Sequence, residues 1–377
     1  MDTAAIEGRW DPAFDRLAEC FADLVAQDGE RGAVAVRGPG GMLVDIRGGA
    51  IHPGRPGQWA RDTLVCCFSV TKGVCSLVAH VLIDRGLLDP DWPVARLWPE
   101  FAHAGKEAIT VLDVLTHRAG LPAVDGPVAR GDLYDAGLMA RHLSASAPVV
   151  PPRAAPVYHN MTYGHLVGEI LCRATGHGSL RDVLRATLTG PLDADFRIGL
   201  TPDEQRRCAS LEQDDPHSLF ALLERQPDTL FARSMAFFAP DKDFNTVRWR
   251  AAQIGSGSGH ATAAAIATLF GQFVFEGGLL SASRRAALRR QRTASEGDDP
   301  VMGIPIRYGE GVELSGPPAL DFGPNPDTPG HWGAGGATGF ADPQAQIAFG
   351  YVTGRMASGF GSSERARRLV AALHMCL

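Results

Sequence analysis

The chain has 377 residues, 45% of them hydrophobic and 21% charged, with a formal net charge of -6 at pH 7. That length supplies a sizeable buried core in one large domain or two to three ordinary ones. The mildly negative balance lacks the strong positive field of a nucleic-acid binder, and no apolar stretch approaches the length of a membrane helix, so neither nucleic acid nor membrane is expected as a partner.

The first segment, "MDTAAIEGRWDPAF", is acidic and does not read as a secretory signal, which wants a basic stretch followed by an apolar run. Seven cysteines are scattered without a CxxC pair. An odd number without pairing favours free thiols in a reducing compartment, so a cytoplasmic location is expected.

In chain order, an amphipathic run from about Asp11 to Gln27 is followed by "GAVAVRG" and "GMLVDIRGG", a helix and then a hairpin. Helical patterns come next at Val70 to Asp84, Met161 to Ala174, Leu180 to Leu188 and Thr262 to Phe275. Near the C-terminus "YGEGVEL", "GHWGAGGATGFADP" and "AQIAFGYV" read as strands, and "SSERARRLVAALHMCL" as a closing helix capped by serine. Strand signals at both ends imply an α+β fold: a three-layer α/β/α arrangement with one antiparallel sheet built from residues 1–68 and 297–377. A mainly helical region over 69–296 is inserted between them, with a cleft at the junction.

Three segments carry chemistry. In "FSVTKG" a lysine follows Ser69 by three residues, in a chain with only 3 lysines among its 36 basic residues. A fixed positive charge would be met by arginine; lysine differs in that it can release its proton once buried. At the start of a helix Ser69 and Lys72 share a face, the spacing of a nucleophile and its base. In "VYHNMTYG" Tyr158 would relay protons beside a lysine, and Asn160 would orient that lysine and bond a substrate carbonyl, following the proline-rich connection "PVVPPRAAP". The third segment, "GHWGAGGATGF", is so rich in glycine that it would pack poorly unless a backbone or ligand came close. The backbone N–H groups of Ser69 and Ala334 would form an oxyanion hole, and His331, Trp332 and Gly333 would line the substrate site.

Taken in order, "SVTK", "YHN" and "HWG" resemble the motifs of the serine β-lactamase and penicillin-binding-protein superfamily, in particular its class C-like carboxylesterase branch, the family VIII esterases. "LIDRGLLDPDWPVARLWPEF", "ITVLDVLTHRAGLP" and "GGATGFADPQAQIAFGYV" extend the resemblance over nearly the whole chain. It implies a β-lactamase/transpeptidase-like fold, Ser69 as nucleophile, Lys72 as base and Tyr158 as the tyrosine of Y-x-N. The third motif departs from K-T-G: His331-Trp332-Gly333 carries less charge and leaves less room, which moves the expected substrate from carboxylate-bearing β-lactams to small-molecule esters. β-Lactamase, D-amino-acid peptidase and acyltransferase chemistry share the same first half-reaction, and a non-catalytic binding protein is the rival of another class.

Other residues are set aside. His117 in "LTHRAGLP" reads as a structural histidine at a turn, Cys66, Cys67 and Cys75 as core, and "SRRAALRRQR" as a solvated helix face. No G-x-S-x-G elbow is present, and no metal-ligand spacing or phosphate loop, so neither metal nor cofactor is expected. The oligomeric state stays open, with a homo-oligomer among the options.

Overall fold

The computed structural model describes residues 5–54, 56–129, 131–213, 229–235 and 243–377. Its first element, β1 (Ile6–Trp10), lies in the segment that carries no strand signal in the sequence. Its burial explains why: only Ile6 is buried, so the alternation is too weak to read, and pairing to a neighbouring edge alone makes it a strand. Then come α1 (Asp15–Gln27), β2 (Gly32–Gly38) and β3 (Gly41–Gly48), the expected helix and hairpin. β4 (Val65–Cys66) leads into α2 (Val70–Asp84), followed by α3 (Val111–Leu115), α4 (Ala136–Ala145), α5 (Thr162–Thr175) and α6 (Leu180–Leu184). The remaining strands are β5 (Phe196–Arg197), β6 (His260–Ala261), β7 (Thr293–Ala294), β8 (Arg307–Tyr308), β9 (Glu313–Leu314), β10 (Pro329–Trp332), β11 (Thr338–Asp342) and β12 (Ile347–Thr353).

Nine strands form one antiparallel sheet in the order β1-β3-β2-β12-β11-β10-β9-β8-β7, so the two ends of the chain meet where β2 pairs with β12. The fold class is α+β, as expected. The glycine-rich third segment is two strands rather than one: β10 and β11 are joined by a tight turn at Ala334–Gly336 in which Gly335 has φ +85°. A left-handed residue breaks the extended run there, which the glycines permit.

Helices cover both faces. α1 packs on the closing helix Glu364–His374, capped by Ser363, and faces β3, where Val25 lies against Gly48. On the opposite face lies the helix Ala263–Gly271, drawn from the middle of the chain. A Cβ on Gly350 would lie 2.2 Å from the Ala263 carbonyl oxygen, and one on Gly339 would lie 2.5 Å from Ile266. The absence of those side chains sets the depth of this helix and, beside it, of α2. From Val70 to Leu82 every residue of α2 is buried, so α2 is a central helix enclosed on all sides rather than an amphipathic one.

The arginine-rich segment is solvated only in part: Ser283, Ala286, Arg290, Gln291 and Arg292 are exposed, but other arginines turn inward. In the helix Ala282–Arg289, Arg284 joins Arg292 in ion pairs with Glu310, which is 1% exposed, and Arg285 is buried with Nη1 donating to the Leu280 carbonyl. A buried carboxylate must be paired, and it draws the guanidinium groups in.

Gly350→Ala is expected to cost about 2 kcal/mol of stability, the size of an overpacking defect against backbone that cannot move aside, measured by urea unfolding. A loss below about 0.5 kcal/mol would show that the helix is free to shift.

Candidate active site

Ser69 stands where an extended segment turns into α2. β4 pairs with β6, and the Cys67 N–H continues the ladder to the Gly259 carbonyl at 2.9 Å. Phe68 then takes φ +44°, a left-handed conformation that a bulky side chain adopts only when its surroundings hold it. Its ring packs edge-on to Phe244 at 4.8 Å and against Trp249 at 6.4 Å, and its carbonyl accepts from Thr71 Oγ1 at 2.5 Å. This abrupt turn makes Ser69 the N-cap residue of α2. The Ser69 N–H donates to no acceptor among the described residues, and neither does that of Ala334.

One turn along α2, Lys72 Nζ lies 3.0 Å from Ser69 Oγ and donates to the Ser256 carbonyl at 3.1 Å. The side chain is completely buried. Loss of water around the ammonium pulls its pKa down to about 7, while Glu313 and Cys75 act in the opposite sense. The anchor of the lysine is Ser256 rather than Asn160, whose Nδ2 donates to Met235 Sδ at 2.7 Å. Asn160 lines the cleft, but among the described residues no hydrogen bond joins it to Lys72, so its expected role of orienting the lysine is not what the structure shows.

The Tyr158 ring lies under Lys72, with Nζ 4.6 Å from its centroid. Burial holds the phenol well above its usual pKa, so it stays neutral near pH 7; Ser69 opposes this but makes no close hydrogen bond to the Tyr158 hydroxyl. The Tyr158 N–H donates to Asp299 Oδ2 at 2.8 Å, and Asp299 Oδ1 accepts from Val301 and Met302, both at 2.9 Å. Asp299 thereby fixes the backbone of the tyrosine to a loop more than a hundred residues away.

In the third segment the structure divides the expected residues. Trp332 and Ala334 line the cleft beside Ser69, whereas His331 and Gly333 do not. The His331 ring is buried behind the strand: Nδ1 donates to the Trp332 carbonyl at 2.8 Å and stands 3.5 Å from Glu313 Oε2. Alternation along β10 turns it away from the side that Trp332 faces. Burial first, and then Lys72, pulls its pKa down to about 3, so the imidazole is neutral. Gly333 serves packing: a Cβ there would lie 2.2 Å from the Cys67 carbonyl oxygen, so the glycine lets β10 close on the segment carrying Ser69.

Glu313 is absent from the sequence reading. Its carboxyl is fully buried and, among the described residues, accepts the Trp332 N–H at 3.3 Å through Oε2 and leaves Oε1 without a hydrogen bond. Desolvation pushes its pKa up to about 8, against the pull of the Trp332 N–H and Lys72. An acidic residue within the apolar strand "GVEL" was the available signal. Ser256 in "GSGSGH" and Asp299 in "GDDP" gave none, because each acts through a backbone contact that only the folded chain makes.

The cleft over Ser69 is narrow and walled by Phe68, Phe244, Trp249, Trp332 and Phe360 with Met161, Met235 and Met302. Among the described residues, none that lines it is charged. Among the described residues no helix is long and apolar enough to cross a membrane.

This enclosed serine–lysine–tyrosine arrangement on an antiparallel sheet defines a class that comparison identifies. Residues 17–374 match the Beta-lactamase family, and the chain belongs to that family. It is 32% identical to Esterase/beta-lactamase LipL of Mycobacterium tuberculosis (strain ATCC 25618 / H37Rv) over 95% of this chain and 85% of that protein. Among solved structures, a family VIII carboxylesterase superposes with a TM-score of 0.90 at 32% identity, covering 99% of this chain and 100% of the other. A penicillin-binding protein homolog from Caulobacter crescentus gives 0.86 at 32% identity, with the same coverage.

The buried lysine has a measurable cost. In the unfolded chain a lysine holds its proton below about 10.4. The folded protein releases it near 7, so folding expels a proton between those values and stability falls as pH drops from about 10 to about 7. Lys72→Met removes the ammonium but leaves the Ser256 carbonyl without its donor, so a net gain of about 1–3 kcal/mol at pH 7 is expected, shrinking towards pH 10. Urea midpoints of both proteins at pH 7 and 9.5 measure it. A difference that does not change with pH would mean that the lysine is charged in the fold.

Proposed function

We propose that this protein hydrolyses carboxylic esters of small molecules through an acyl-enzyme on Ser69. It is a serine hydrolase of the β-lactamase-like class. The observation that carries the assignment of residues is the 3.0 Å contact between Ser69 Oγ and a lysine held at the edge of neutrality by burial. Neutral Lys72 takes the hydroxyl proton as Oγ attacks the ester carbonyl. The oxyanion is met by the N–H groups of Ser69 and Ala334, neither of which donates to an acceptor among the described residues. Tyr158, a neutral phenol facing Lys72, carries the proton on to the departing alkoxide, which leaves as alcohol. Water then attacks the acyl-enzyme, the same groups take its proton, and the acid departs with Ser69 restored.

The cleft favours esters over β-lactams. Its described walls are mainly aromatic and methionine side chains, and among the described residues no cation lines it to meet the carboxylate that penicillins and cephalosporins carry. The uncharged wall therefore carries this preference, in place of the expected contact from His331. Seven free cysteines support a cytoplasmic location.

Two outcomes are expected. A serine-directed phosphonate adds one label per chain, at Ser69 by peptide mapping, and Ser69→Ala removes both label and ester hydrolysis while the protein remains folded by circular dichroism; a label on another serine would refute the assignment. Short-chain p-nitrophenyl esters are turned over with kcat/KM at least about a hundredfold above that for penicillins, a difference of roughly 2.7 kcal/mol in barrier. Comparable values for both substrates would make it a β-lactamase.

A further inference from the structure

His117 was set aside as a structural histidine at a turn, yet it touches three consecutive residues of the tyrosine segment. It follows α3 with its amide hydrogen-bonded to the Val114 carbonyl at 3.2 Å and its backbone at φ +60°. A left-handed conformation at a non-glycine residue is uncommon, although histidine, asparagine and aspartate are enriched there. Such strain persists where the surroundings over-determine it.

The contacts are specific. The His117 carbonyl accepts from the Val157 N–H at 3.0 Å. Its Nδ1 accepts from the His159 N–H at 2.9 Å. Between those two bonds its ring stacks on Tyr158, with centroids 4.9 Å apart and planes at 26°. The opposing side is filled by Tyr163, stacked at 4.7 Å, with Tyr308 at 4.8 Å. Further along, the Leu121 N–H donates to His159 Nε2 at 2.9 Å, and the Leu121 carbonyl accepts from Thr162 Oγ1 at 2.6 Å. The turn from His117 to Leu121 is thus a template along which residues 157–162 are laid. Since Nδ1 accepts an amide proton, the ring proton is on Nε2 and the imidazole is neutral. Burial, with His159, Lys72 and His331 nearby, disfavours any second proton. His117 does not line the cleft and has no path to substrate.

We propose that His117 is a positioning residue for Tyr158: its neutral Nδ1 accepts from the His159 N–H and its backbone carbonyl from the Val157 N–H, and with its ring stacked on the tyrosine between them it holds the phenol beside Lys72. The proposal rests on the reading of Tyr158 as the proton carrier. It predicts that the acceptor atom matters more than the aromatic ring. His117→Phe keeps the ring and leaves the His159 N–H unpaired. His117→Asn places an oxygen where Nδ1 stood and tolerates the left-handed backbone.

The test is kcat and KM for p-nitrophenyl acetate, with kcat expressed per phosphonate-labelled Ser69 so that any loss of folded protein cancels. His117→Phe is expected to lower kcat at least about tenfold with KM within about threefold, and His117→Asn to recover to within about threefold of wild type. In a Tyr158→Phe background, His117→Phe should cost less than about threefold more, because both act through one phenol. Wild-type kcat per labelled site in His117→Phe, an Asn variant as poor as Phe, or multiplicative losses in the double variant would each overturn the positioning role. Tyr158→Phe with near-wild-type kcat would instead sink the reading of Tyr158 on which the role depends. If neither histidine variant folds, ¹⁵N shifts of the wild-type imidazole at pH 7 decide: the proton is expected on Nε2, and a proton on Nδ1 refutes the clamp.

Discussion

A lysine ammonium with no water around it, 3.0 Å from a serine hydroxyl, is the constraint on which the rest of the structure depends. A charge in such a place is unstable, and the fold answers by letting the proton go rather than by supplying a close carboxylate partner. The nearby acid, Glu313, is itself desolvated by burial and is likewise pushed towards neutrality, against the opposing pull of the Trp332 N–H and Lys72. Two groups that would form an ordinary ion pair at the surface are here both driven away from charge. The chemistry of Ser69 follows from that shared desolvation.

Keeping water from Lys72 demands close packing from several directions. The Ala263–Gly271 helix reaches the sheet because Gly339 and Gly350 present no side chains, and Gly333 lets β10 close on Cys67. α2 runs through the middle with no exposed face between Val70 and Leu82, so its lysine has no route by which to extend its amine into solvent. A serine and lysine at this spacing on a surface helix would have the same geometry and an ordinary lysine pKa.

The tyrosine is held by a different device. No regular element carries Tyr158; it sits at the end of an irregular segment, fixed by Asp299 on its own amide and by His117 on those of its neighbours. Polar contacts to backbone specify one conformation where an apolar surface alone would permit several. Both contacts are buried and come from distant parts of the chain, so the loop gains rigidity that its own proline-rich sequence does not supply.

Local pattern in the sequence was enough for the α+β class, the meeting of N- and C-terminal strands and α2 to within its observed bounds, while Ser69, Lys72 and Tyr158 stood out through the ordered motifs of the family resemblance. Those features depend on periodicity and short spacing, which are properties of neighbouring residues. The edge strand β1, the division of the glycine-rich segment into β10 and β11, the pairing of Arg284 with Glu310 and the burial of Arg285 were not legible, because each is settled by a partner elsewhere in the chain. The same holds within the site. The sequence identified His331 as a pocket residue and passed over Glu313, Ser256, Asp299 and His117; alternation along β10 turned His331 inward, and the other four act through contacts between segments far apart in sequence. Residue type determined which chemistry was available, and only the tertiary structure, by excluding water and bringing distant backbone groups into contact, decided which side chains surround Ser69 and in what protonation state.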